Sequence, residues 1–117
     1  MKRALLAFAV VALALAVSAS ALGRSSTTKL NGTVGPGFTI SLKMGGKTVK
    51  SLNTGTYKFV IADKSNIHDF SLKGPINKHL TSVSFVGNKT VKLTLKKGKY
   101  TYYCSIHPTM KGTFTVK

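Results

Sequence analysis

From Phe38 to Val116 apolar and polar side chains alternate again and again, and no stretch of helical period is long enough to compete. Successive side chains of an extended chain point to opposite faces, so this alternation suits strands with one face buried. Phe38, Ile40 and Leu42 are expected on one face and Thr39, Ser41 and Lys43 on the other. Tyr57, Phe59 and Ile61 repeat the pattern, Phe70 with Leu72 and Val83 with Phe85 make short strands, and Val91, Leu93 and Leu95 alternate with Lys92, Thr94 and Lys96. Tyr100, Tyr102 and Cys104 share a side of the next strand, and Phe114 and Val116 face inward on the last. Turns are expected at Gly45-Gly46, Asn53-Thr54-Gly55, Gly74-Pro75, Gly87-Asn88 and Lys97-Gly98. Short strands at this spacing indicate an all-β, Greek-key β-sandwich. Tyr100 suits either a tyrosine corner, bonded back to the preceding crossover, or simple packing.

The first residues read differently. Met1-Lys2-Arg3 is a short positive region, Ala4 to Val17 is an apolar run, and Ala19-Ser20-Ala21 is a small-x-small cleavage pattern, so residues 1–21 read as a signal peptide. The run is shorter than the roughly twenty residues that span a bilayer. Residues 22–29, small and polar, read as a flexible leader, and 30–117 as one domain. This predicts an exported protein, periplasmic, cell-surface or secreted, monomeric and with no stable membrane insertion once the signal is removed. No cysteine follows the apolar run to carry a lipid, and Lys2-Arg3 is not a twin-arginine signal.

Lysine and arginine number 18 against 2 acidic residues, Asp63 and Asp69; loss of Lys2 and Arg3 lowers the formal charge from +16 to +14. Such a balance attracts acidic partner proteins, anionic cell-surface polymers or lipid headgroups, while export argues against nucleic acid. The same lysines also serve solubility. The Asn-x-Thr sequons at Asn31 and Asn88 matter only in a eukaryotic secretory pathway.

The lone cysteine, Cys104, has no internal partner, which leaves an intermolecular bridge, a free thiol or a metal ligand. Cys104, His107 and Met110 recur at every third residue, where a strand end and a tight loop can turn all of them to one point. Thiolate and thioether are soft donors and imidazole is borderline, a set that selects copper over magnesium, calcium or manganese. Zinc is the rival, but structural zinc sites draw four strong ligands from Cys and His. A blue-copper centre needs two histidines, one cysteine and a weak axial methionine. His68, in the loop Asn66-Ile67-His68-Asp69-Phe70, is the candidate second histidine, and His79 is its competitor, read as a surface residue. Met110 has a packing alternative, and Met44 is expected in core or turn.

The segment Gly98 to Gly112, with Tyr102-Tyr103-Cys104-Ser105-Ile106-His107-Pro108-Thr109-Met110 at its centre, resembles the copper loop of the cupredoxin family, plastocyanins and amicyanins. Its C-x2-H-x2-M spacing is closest to amicyanin, and the loop with His68 looks like the region of the family's first histidine. The resemblance implies a cupredoxin-like domain holding one copper ion, Cu(I) or Cu(II), through His68, Cys104, His107 and Met110. Cys104 would supply the thiolate and the main electronic coupling, His68 a buried imidazole, His107 an imidazole reaching the surface, and Met110 a long axial contact. An apolar surround including Pro36, Phe38, Pro75 and Pro108 would let a partner approach His107. The family commonly has asparagine after the first histidine; Asp69 stands there, with its N–H expected toward the sulfur, its carboxylate toward the Ser105 hydroxyl, and a lowered potential as the consequence.

The function implied is one-electron transfer outside the cytoplasm with an acidic redox partner. Four protein ligands leave no open position for a substrate, so an enzyme is not expected. A binuclear centre would need two cysteines. The alternatives are copper sequestration or delivery, and a copper-free basic sandwich that binds anionic surface polymers.

Overall fold

The computed structural model describes residues 27–117; the segment read as a signal peptide lies outside the described residues. Ten strands follow in order: β1 (Thr28–Val34), β2 (Ile40–Met44), β3 (Lys47–Thr48), β4 (Ser51–Leu52), β5 (Gly55–Asp63), β6 (Ser71–Lys73), β7 (Lys78–His79), β8 (Gly87–Leu95), β9 (Gly98–Tyr103) and β10 (Lys111–Val116). They form two five-stranded sheets, β3-β2-β1-β5-β8 and β4-β10-β9-β6-β7. Both are mixed, because β1 runs parallel to β5 and β4 parallel to β10 while the other neighbours are antiparallel.

The alternation decides which side of each strand is buried. On the first sheet Leu30, Leu42, Phe59 and Ile61 point inward and are fully buried. The second sheet answers with aromatic rings: Tyr100 stacks on Phe114 at 5.2 Å and Phe70 on Tyr102 at 5.8 Å. Burying a large apolar side chain contributes roughly 1.5–3 kcal/mol, so these rings dominate the cohesion of the two layers. The crossing from β8 to β9 between the layers is fastened by Tyr100, whose hydroxyl donates to the Lys96 carbonyl at 2.8 Å and accepts from the Lys96 N–H at 3.0 Å. That is the tyrosine corner rather than simple packing.

Several local expectations are corrected. Thr28 and Lys29 already pair with Tyr57 and Lys58, so ordered structure begins two residues inside the segment read as leader. Val83 and Phe85 lie in a turn, closed by the Phe85 N–H bonding to the Ser82 carbonyl at 3.1 Å, and Gly87-Asn88 opens β8 by pairing with Asp63 and Ala62. The long partner strand β5 extends the ladder across a Gly-Asn pair that local chemistry reads as a turn. Phe38 precedes β2 and is 67% exposed, off the strand face assigned to it. Met44, expected in core or turn, stands at the turn that closes β2 and is exposed.

Candidate metal centre

Two loops at one end of the sandwich build the site. The first leaves β5 at Asp63 and is held at its start by the Lys64 N–H bonding to the Val34 carbonyl at 2.9 Å. Its far end is pinned where the Phe70 carbonyl accepts from the N–H groups of Leu80 and Thr81 and the Phe70 N–H reaches the Thr81 hydroxyl. His68, between these anchors, is fully buried. The second loop follows β9. Here the Cys104 N–H bonds to the Met110 carbonyl at 3.0 Å and the Met110 N–H to the His107 carbonyl at 2.9 Å. The chain is thereby folded into a tight arc that brings His107 back over Cys104.

His68, Cys104 and His107 converge, each offering one donor atom. The Nδ1 atoms of the histidines are 3.0 Å apart, and the Cys104 Sγ lies 3.9 Å from that of His68 and 3.7 Å from that of His107. These are the separations that arise when one ion is bonded at about 2.0 Å to each nitrogen and about 2.3 Å to the sulfur. The donor chemistry and the spacing therefore fit a single soft-to-borderline metal ion, with Nδ1 as the atom each ring offers. His68 and Cys104 are buried and His107 is half-buried, so the imidazole of His107 is the one that approaches solvent. Met110 is buried, with its main chain bonded to Cys104 and His107 as above.

The two loops are fastened to each other by Asp69. Its N–H lies 3.5 Å from the Cys104 Sγ, and its carboxylate accepts from the Ser105 N–H and the Ser105 hydroxyl, each at 2.6 Å. Burial pushes the Asp69 carboxyl up, but the hydrogen bonds from Ser105 and Ser71 outweigh it and hold the group below the usual carboxylate range. A side chain that alternation would turn outward, Ser71, is fully buried here and donates to Asp69 at 3.0 Å. His79 is exposed, as expected, yet its Nδ1 lies 2.6 Å from the Ser71 hydroxyl and 3.4 Å from the Asp69 carboxylate. No sequence signal marks Ser71 or His79 as members of this network; it exists because β7 pairs with β6 and sets Ser71 opposite His79.

Phe38 caps the cluster. Its ring meets those of His68 and His107 edge-on, with centroids 5.2 and 5.0 Å away. The loop that carries it is closed by the Gly35 N–H bonding to the Thr39 carbonyl at 3.0 Å. Gly35 has φ +75°, and a Cβ there would come within 2.9 Å of Ser65 and 3.3 Å of His68, so only glycine lets this loop approach the buried histidine. Ile106 is also exposed beside the cluster, between Cys104 and His107 in sequence. Pro75, expected in the apolar surround, packs instead against Gly98 at the start of β9, the opposite end of that strand from Cys104.

The chain shares its fold with solved structures of rusticyanin. Reduced rusticyanin is 24% identical, with 80% of this chain and 81% of that chain covered at a TM-score of 0.59. Another, described as the copper protein rusticyanin, is 22% identical with 80% of each chain covered and a TM-score of 0.58. Rusticyanin from Thiobacillus ferrooxidans is 25% identical, covering 80% and 79% of the respective chains at 0.52. No protein-family model and no curated sequence relative matches the chain.

Proposed function

We propose that this chain, a cupredoxin by its fold and its His–Cys–His cluster, holds one copper ion and carries single electrons outside the cytoplasm. The observation that carries the reading is the convergence of Nδ1, Nδ1 and Sγ from His68, His107 and Cys104 at 3.0, 3.7 and 3.9 Å. Copper supplies the one-electron couple. The protein's part is to keep the donors where they are in both oxidation states, so that little rearrangement accompanies the electron. Asp69 does this by tying the histidine loop to the cysteine loop and turning its N–H toward the sulfur. Phe38 keeps water from the two imidazoles, and the half-buried His107 offers the shortest way between the cluster and a partner. Met110 would be a further, weak thioether ligand of the ion; its place in the arc closed by Cys104 and His107 supports this.

A one-electron carrier needs no substrate site and carries out no enzymatic reaction. Residues 1–21, read as a signal peptide, support a location outside the cytoplasm, and among the described residues no helix is long and apolar enough to cross a membrane. Asp63 and Asp69, the chain's only acidic side chains, are both buried, so every charged side chain at the surface is basic. An acidic redox partner is the natural complement, and electron transfer with it slows as salt rises over the range in which the Debye length falls below about 10 Å.

The test is the visible spectrum after addition of Cu(II). A short copper–thiolate bond gives an intense band that Cys104→Ser abolishes; a band that survives in this variant overturns the site. Reversible redox cycling separates a carrier from a storage or delivery protein, which would take up copper without cycling.

A further inference from the structure

We propose that the outer face of the sheet β3-β2-β1-β5-β8 binds an acidic polysaccharide, with Lys29, Lys58 and Lys92 as the centre of the binding surface. The register sets Lys29 opposite Lys58 and Lys58 opposite Lys92, so three ammonium groups stand in one row across β1, β5 and β8. Neighbouring strands lie about 4.8 Å apart, and like charges directly opposite each other disfavour the sheet. These are the only places among the described strand pairings where lysine faces lysine. All three are exposed, and the inward neighbours Leu30, Tyr57, Phe59 and Leu93 show that the row faces away from the core. Nothing neutralises it, because both acidic residues of the chain are buried.

The rest of the face identifies the occupant. Around the row stand Lys43 and the exposed polar groups of Asn31, Thr56, Thr90 and Thr94, with Thr56 and Thr94 bonded to each other at 2.8 Å. Hydroxyl and amide groups interspersed with ammonium groups suit a polymer that carries both sugar hydroxyls and acidic groups. A nucleic acid is favoured by aromatic platforms and arginine, and a membrane by apolar side chains that insert. Among the described residues the exposed large hydrophobic side chains are Phe38, Met44, Ile67, Val86 and Ile106, none of which belongs to this row, and there is no arginine.

The row is also separated from the metal centre. Lys58 is five residues before Asp63, where β5 ends beside the histidine loop, a distance of about 17 Å along an extended strand. A polymer held on this face leaves His107 free to meet a redox partner, so the carrier is retained at an acidic matrix while it works. Polysaccharide binding on this face does not depend on copper.

Polygalacturonate binding by the full mature chain tests it. Replacing Lys29, Lys58 and Lys92 together by threonine should weaken binding by about tenfold or more and flatten its salt dependence, because fewer counterions are released. The charge-matched triple Lys97→Thr, Lys99→Thr and Lys117→Thr should change affinity by less than about threefold, since counterion release needs contact. Thermal unfolding of both triples controls for folding; threonine is favoured in exposed strands and removes the repulsion, so the row variant should be no less stable. Equal weakening by both triples overturns the site, and preferential binding to anionic vesicles or to single-stranded nucleic acid of equal charge overturns the occupant. Absence of the copper band in the wild-type chain would defeat the electron-carrier reading alone, because polysaccharide binding is measured with or without metal.

Discussion

Asp69 grips Ser105 twice, accepting from its N–H and from its hydroxyl at 2.6 Å each, and so joins the loop of the first histidine to the loop of the cysteine. The same residue turns its N–H toward the Cys104 sulfur, which makes it a structural clamp and a negative charge beside the candidate metal centre. An amide in its place keeps most of the clamp and removes the charge.

Asp69→Asn should therefore raise the reduction potential of the copper-loaded protein. A unit charge near 10 Å at an effective dielectric of 20 is worth on the order of 1–2 kcal/mol, or about 50–100 mV for a one-electron couple. Voltammetry reads the shift directly, and an unchanged or lower potential would show that the carboxylate does not act on the metal.

Phe38→Ala should cost little stability, within about 0.5 kcal/mol, because the ring is mostly exposed. It uncovers both imidazoles, however, and water at the site favours the more highly charged Cu(II). The potential should fall by about 20–60 mV, a two- to tenfold shift in the balance of the two oxidation states. Retention of the wild-type potential would remove Phe38 from the role of water shield.

Tyr100→Phe removes both hydrogen bonds to Lys96 and leaves the ring stacked on Phe114. Denaturant unfolding should report a loss of about 1–2 kcal/mol while the copper band keeps its position, since the corner fastens the crossover and touches no ligand. A displaced band would mean that the crossover sets the geometry of the cysteine strand.

The two buried acids should act on stability in opposite senses. Burial pushes the Asp63 carboxyl up, and one of its oxygens has no partner; the hydrogen bonds to Asp69 hold that carboxyl down against the same effect. Asp69 thus contributes stability above the unfolded carboxyl value that is lost as pH falls through its folded value. Asp63 favours the fold at low pH, and that contribution is lost as pH rises through its raised folded value. Asp63→Asn should accordingly raise the melting temperature of the metal-free protein at pH 7 and change it little near pH 3. A lower melting temperature at pH 7 would show that the ionised carboxylate is satisfied in the folded state.

The sequence by itself determined which strands bury one face and marked the candidate donors. Alternation in Tyr57 to Ile61, broken only by Val60, and strict alternation in Val91 to Leu95 dictate strands with one buried face, because a period of two can bury its apolar set in no other way. The close spacing of Cys104, His107 and Met110 made the candidate metal loop legible, since these residues are neighbours in any tight turn. Tertiary structure decided everything that depends on which strands lie side by side. Pairing of β6 with β7 brought Ser71 and His79 to Asp69, and pairing of β1, β5 and β8 aligned Lys29, Lys58 and Lys92. Strand order also sent Pro75 to the end of the sandwich away from the site and Phe38 onto it. Local pattern carries no information on such pairings, because side-chain period is a property of one strand and register is a property of two.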